Sequence, residues 1–283
     1  MNQAFSRNIG LLTECEQEKL GKTRVAIPGM GGVGGAHLIT LVRSGIGKFN
    51  IADFDVFDPV NINRQYGATV DSFNKPKLEE MKERALSINP YLELNCFENG
   101  INEENIDHFL DEVDVVIDGL DFFAFEIRRK MFLRAAQKGI YVVTAAPLGF
   151  SSAVLVFSPN GMGFDEYFNV NDDMSSEDKY LSFAMGLAPK PTHFSYMNLA
   201  KVDLNAKAGP SLSIACQLCS GMAAAEALKI VLNRGCVNPV PCYIQYDSYL
   251  NRFKKGKLHL GNKNPVQQVK KIIVKKLLTK KGK

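Results

Sequence analysis

The chain of 283 residues has no tryptophan and only six cysteines. Cys15, Cys96, Cys216, Cys219, Cys236 and Cys242 are too few and too unevenly spaced for a disulfide framework, so a reducing, cytoplasmic setting is expected. No apolar run reads as long enough to cross a bilayer. The start, Met1 to Arg7, lacks the charged-then-apolar pattern of a signal peptide. Repeats and low-complexity segments are missing before the last thirty or so residues. What remains is a globular class of one large domain or two small ones, able to bury roughly three quarters of its unfolded surface.

Acid is also missing, but from one end only. Residues 251–283 carry twelve Lys and Arg and no Asp or Glu; taking those twelve from the net +4 leaves −8 for the rest. A mildly acidic body at 1–250 is expected to carry a basic tail at 251–283. That balance argues against a nucleic-acid-binding body. Val266 to Leu278 is amphipathic and basic, suited to a docked terminal helix or to an anionic membrane surface or acidic partner.

What is present is organised around Arg24 to Gly35. A buried apolar run, Val25 to Ile27, leads into glycines at G-x-G-G-x-G spacing, Gly29, Gly31, Gly32 and Gly34. A helical pattern follows through Ala36, Leu38, Ile39 and Val42, stopped at Ser44-Gly45. Strand, glycine turn and helix bring backbone N–H groups and a helix N-terminus to a phosphate. Alone, the motif equally fits a turn that only packs a helix on a sheet. Asp53 tips the balance, standing where such folds place an acid on the ribose, with Asp55 and Asp58 directly after it.

Further on, Val60 to Gln65 reads as a loop carrying Asn63, Arg64 and Gln65, and an arginine there can fork onto phosphate oxygens. Lys77 opens a helix over residues 74–90, a place the helix dipole does not favour for a cation. A strand at Leu92 to Phe97 precedes a helix at about Glu103 to Asp111, and Val113 to Asp121 reads as the next strand and its exit loop, which sets Asp118 and Asp121 at the carboxyl edge. A helix from Ala124 to Lys138 and strands at Tyr141 to Thr144 and Phe150 to Phe157 continue the rhythm. The spacing predicts an α/β, Rossmann-like, doubly wound, mostly parallel sheet. Residues 158–209 read as a long irregular crossover loop. A long apolar helix through Ile214, Leu218, Met222, Ala225, Leu228 and Val231 follows Gly209-Pro210-Ser211. Cys216 and Cys219 within it read as two small buried side chains rather than half of a zinc site with Cys236 and Cys242, so zinc is not expected. The four histidines, His37, His108, His193 and His259, have no metal-ligand spacing.

The set Gly29-x-Gly31-Gly32-x-Gly34, Asp53-x-Asp55, Asn63-Arg64-Gln65, Lys77 and Asp121, together with Ser6-Arg7, resembles the ubiquitin-activating-enzyme-like (ThiF-type) superfamily over about residues 5 to 250. That group includes the bacterial enzymes that adenylate sulfur-carrier proteins. The resemblance implies ATP and Mg²⁺, with Gly29 to Gly34 at the phosphates and Asp53 at the ribose. It puts Arg64, Gln65 and Lys77 on the triphosphate, Asp121 on Mg²⁺, and Arg7 reaching the γ-phosphate across a homodimer. It implies as substrate the C-terminus of a small ubiquitin-like or sulfur-carrier protein, or else a peptide or small carboxylate. The chain departs from the pattern in having Phe122 after Asp121, Arg128 displaced along the next helix, and no cysteine from 97 to 215. Adenylation without an obligatory enzyme thioester is therefore expected. The rivals are a dinucleotide-dependent oxidoreductase, which leaves Arg64, Lys77 and Asp121 without a task, and a non-catalytic nucleotide-binding scaffold.

Overall fold

A computed structural model describes residues 3–198, 201–202 and 209–279. Eight strands form one sheet: β1 (Arg24–Pro28), β2 (Lys48–Ala52), β3 (Glu93–Phe97), β4 (Val115–Asp118), β5 (Tyr141–Leu148), β6 (Ser151–Phe157), β7 (Cys242–Asp247) and β8 (Arg252–Lys257). Their order is β3-β2-β1-β4-β5-β6-β7-β8. The first five are parallel, and β6, β7 and β8 add antiparallel neighbours. The predicted doubly wound, mostly parallel sheet is borne out.

Alternation along the central strands explains their apolar runs. Val25, Ile27, Val115, Ile117, Val143, Val154 and Val156 face one core, shared with α2 (Gly34–Ser44), α3 (Lys77–Ile88) and α8 (Ser213–Leu232). Ala26, Val116, Val142, Leu155 and Phe157 face the other, with α4 (Ile106–Phe109), α5 (Phe125–Gln137), α6 (Phe164–Phe168) and α7 (Ser176–Leu187). α1 (Glu14–Lys22) is opened by a capping box between Thr13 and Glu16.

Four expectations change. Among its described residues, the stretch 158–209 is not irregular: it holds α6 and α7. The helix expected over Glu103 to Asp111 shrinks to the single turn of α4. The sheet does not stop at residue 250, because β8 is its edge strand, and α9 (Pro265–Thr279) packs against α7. α8 does have the length and composition of a membrane span, yet in this fold it is a core helix lying on β4, β5, β6 and α2.

The strand order reverses between β1 and β4. Open α/β sheets form a ligand crevice at such a switch point, outside the carboxyl ends of the strands. The glycine loop leaves β1 on one side of it and the Asp118–Asp121 segment leaves β4 on the other.

Candidate active site

The glycine loop is built by two of its glycines. Gly29 has φ of +90°, and its N–H donates to Ala52 O at 2.6 Å. A Cβ on Gly29 would strike the Gly119 carbonyl, and one on Gly34 would strike the Gly29 carbonyl. These two let the β1 and β4 exits touch. Gly31 and Gly32 are different: a Cβ there would find its nearest neighbours at 3.7 Å (Gln65 Nε2) and 3.5 Å (Cys216 Sγ). A side chain would fit at both in ordinary contact, so packing does not demand glycine there, and this part of the loop stands beside Gln65, Arg64 and Cys216.

Asp53, one residue past β2, is tied to this loop. Its Oδ2 accepts the Met30 N–H at 2.6 Å and its Oδ1 the Asp55 N–H at 2.8 Å. Burial raises its carboxyl above the ordinary value, while the two N–H groups and Lys77 pull it back.

Lys77 resolves its own oddity. It is 7% exposed at the first residue of α3, and its Nζ meets Asp55 Oδ2 at 3.1 Å. Its backbone N–H donates to Asp55 O at 2.9 Å. Asp55 therefore offsets the dipole penalty and holds the ammonium beside Asp53.

Asn63, Arg64 and Gln65 follow a 3₁₀ turn, Pro59–Asn61, bracketed by Asp58 and Asn61. Arg64 Nη1 donates to Val60 O at 2.9 Å and to Asn63 Oδ1 at 3.0 Å, and its stem lies by Gly32. Asn63 Nδ2 ties this loop to Ser211 O at 3.0 Å. Gln65 is buried with its Oε1 unpaired.

Across the crevice, Asp121 is exposed, with Oδ1 accepting the Phe123 N–H at 2.9 Å. The sequence grouped Asp118 with it, but Asp118 is buried in a pair with Arg128 Nε at 2.8 Å and accepts Thr144 Oγ1 at 2.9 Å. Arg128 also donates through Nη2 to the carbonyls of Leu120 (2.6 Å) and Asp121 (2.9 Å), and lies 4.8 Å from the Phe183 ring centre. It shapes the loop that presents Asp121, a role its displaced position did not disclose. Gly119 was likewise missed; the Ile-Asp-Gly exit of β4 is its signal.

Arg7 does not join this group. It is exposed in a 3₁₀ turn, Ser6–Asn8, and Asn8 Nδ2 bonds Ser44 O at 3.3 Å. Ser44 ends α2, roughly 16 Å along the helix from the glycine loop. Among the described residues no three or more His, Cys, Asp or Glu gather as metal ligands. Asp121 carries a single exposed carboxylate, fitting an ion held mostly by a nucleotide's own oxygens.

The chain is 36% identical over 128 residues to the tRNA threonylcarbamoyladenosine dehydratase of Bacillus subtilis, covering 45% of this chain and 50% of that one. Over 143 residues it is 27% identical to the sulfur carrier protein ThiS adenylyltransferase of Escherichia coli, covering 50% of this chain and 56% of that one. It thus spans about half the length of the curated relatives it matches. Its fold resembles that of Escherichia coli MccB, solved with AMPCPP and MccA, with a TM-score of 0.70 at 18% identity over 92% of this chain and 72% of that one. With residues 5–269 matching the ThiF family, switch-point loops included, the chain belongs to that family.

Proposed function

We propose that the protein is an ATP-dependent adenylyltransferase acting on a carboxylate. One arrangement supports this reading: at the switch point Arg64 lies by Gly32 and Lys77 by Asp55 and Asp53, while Asp121 stands on the loop that leaves β4. A carboxylate oxygen of the substrate bonds to the α-phosphorus, the bond to the bridging oxygen breaks, and its electron pair leaves with pyrophosphate. The nucleophile is already anionic, so the residues position and neutralise rather than move a proton. Asp53 orients the ribose. Lys77 exchanges Asp55 for a phosphate oxygen. Arg64 swings from Val60 O and Asn63 onto the leaving phosphates. Asp121 would be the residue to hold Mg²⁺, which would supply further charge neutralisation on the phosphates. Hydride transfer gives Arg64, Lys77 and Asp121 no task.

The substrate of this reading is the C-terminus of a small ubiquitin-like or sulfur-carrier protein, or a short peptide. The names of the Escherichia coli ThiS enzyme and of MccB with MccA support those classes. The 36% identity to the Bacillus subtilis dehydratase favours a second reading, the carboxylate of a modified tRNA nucleoside. Transfer would proceed without an enzyme thioester, in a homodimer whose partner lends Arg7, and in the reducing cytoplasm, where six free cysteines are stable. The deciding experiment is ATP–pyrophosphate exchange with carrier proteins, peptides and tRNA as separate additions, beside thermal shifts with ATP·Mg²⁺ and NAD. Exchange with none of them, together with a larger shift for NAD, overturns the reading.

A further inference from the structure

Helix α9 lies on the body with its faces reversed. Its polar side chains point inward: Gln267 Nε2 donates to Met185 O at 3.1 Å, Lys270 Nζ to Pro189 O at 2.8 Å, and Lys271 Nζ to Ser182 Oγ at 2.6 Å. Lys275 Nζ pairs with Asp178 at 2.7 Å. Four of its aliphatic side chains point outward: Val266, Val269, Ile272 and Ile273 are between 53% and 62% exposed. At 3.6 residues per turn these four fall on one face, and the exposed Lys276 falls on it as well. A helix that only seals a core shows the opposite arrangement. Ile272, Ile273 and Lys276 also lie beyond the residues matched by the family, which end at 269.

We propose that this face of α9 docks on an anionic lipid surface. Charge selects the cover: Lys276 lies on this face, and the segment that carries it, residues 251–283, has twelve basic side chains in all and no acid. A second copy seated on the same face would set lysine against lysine. A nucleic acid would engage the lysines and leave four aliphatic side chains in water. A bilayer surface takes both sets. The aliphatic side chains enter the headgroup–acyl boundary, and the basic charge of the segment draws the helix toward lipid phosphates. Anionic lipid draws the helix in, and the short apolar face makes the attachment reversible.

Docking on lipid is independent of adenylation, and its test contains no nucleotide. The full chain is sedimented with vesicles of phosphatidylcholine alone or mixed with phosphatidylglycerol, at low and high salt. It should pellet with the mixed vesicles at low salt and stay in solution with phosphatidylcholine alone. Ile272→Glu combined with Ile273→Glu should weaken binding at least a hundredfold, each buried aliphatic side chain being worth roughly ten- to a hundredfold. Both positions face water, so the fold is kept. Lys276→Gln, which leaves the apolar face untouched, should lose about fivefold. Failure to pellet with the mixed vesicles overturns the proposal, as does pelleting that the double substitution leaves unchanged. A dimer in gel filtration that the double substitution splits would make a second copy the occupant. Binding of tRNA with the same dependence on Ile272 and Ile273 would make it a nucleic acid.

Discussion

The Met30 N–H donates to Asp53 Oδ2 at 2.6 Å, joining the acid at the end of β2 to the middle of the glycine loop. One side chain thus fixes the loop and, in the proposed adenylyltransferase, would also present its carboxylate to the ribose. Asp53→Ala removes both effects. A hydrogen bond to a charged group is worth about 1.5–3 kcal/mol, so ATP affinity measured by calorimetry should fall roughly ten- to a hundredfold. Stability should fall as well, because the Met30 N–H loses its acceptor.

Lys77 and Asp55 form an asymmetric pair, with side chains 8% and 55% exposed. Removing the buried partner leaves an exposed carboxylate that water can solvate; removing the exposed one leaves a buried ammonium without its hydrogen-bonded partner. Asp55→Ala should therefore lower the melting temperature more than Lys77→Met. The order reverses for activity: Lys77→Met should cut pyrophosphate exchange by about a hundredfold or more, as loss of a transition-state contact does. Equal effects of both variants in both assays would show that the pair is only structural.

Much of this was legible in the sequence where local chemistry matches the fold. The glycine spacing, Asp53 and the strand–helix alternation through Phe157 all follow from buried parallel strands, whose apolar runs need no tertiary information. α7 was not legible. Lys179, Ser182 and Gly186 are buried in it beside Leu181 and Phe183, so it shows no apolar stripe against a polar face. β8, Arg-Phe-Lys-Lys-Gly-Lys, reads as charge because it is an edge strand with water on one side. Asp118 and Asp121 look alike in sequence, and only the approach of Arg128 across ten residues separates the buried partner from the exposed carboxylate. Arg7 illustrates the remaining limit: its proposed task lies in another subunit.

His37 gives a pH dependence. It sits in α2 at 0% exposure with neither ring nitrogen hydrogen-bonded, and burial pushes its pKa down to about 3 from 6.5. The folded protein thus holds the neutral ring while the unfolded chain takes up a proton below 6.5. This contribution is complete above that pH and is lost as pH falls toward the folded value. The loss is about 2 kcal/mol by about pH 5 and approaches about 5 kcal/mol at the acid end. Denaturant unfolding of His37→Leu should show a shallower acid slope than the parent. Parallel slopes would mean that another group governs the acid limb; His193, pushed down to about 4 by burial against the opposing pull of Asp247, is the next candidate.

The proposed assembly is tested through Arg7 and through exposed apolar side chains at the amino-terminal segment and along the β2–α3 connection. Leu11 is 77% exposed, Phe54 76%, Val60 70% and Val70 73%. Such side chains would suit a surface that the second chain of the proposed homodimer covers. Sedimentation should report a homodimer. Arg7→Ala should keep the dimer but lose exchange activity by about tenfold or more, as removal of one charged contact to the transition state does. A monomer with undiminished ATP binding and exchange would remove Arg7 from the site.

The cysteines decide how the adenylate is passed on. Cys216 is the cysteine beside the glycine loop, yet it is 1% exposed and burial pushes its thiol up to about 11, with Arg64 opposing. Cys219, one turn on, is raised further by complete burial. A thiol so placed stays protonated at neutral pH, and the thiolate is the nucleophile. Cys15 and Cys236 are exposed, but no cysteine occurs from 97 to 215, the span a crossover nucleophile would occupy. Each cysteine replaced singly by serine should leave exchange and product formation largely intact in every variant that folds. Asp121→Asn, at an exposed position, should fold normally and lose exchange by roughly a hundredfold, since the neutral amide cannot hold the metal as the carboxylate does. A Cys216→Ser protein that folds and exchanges pyrophosphate yet forms no final product would reveal a thioester step and end the direct-transfer reading.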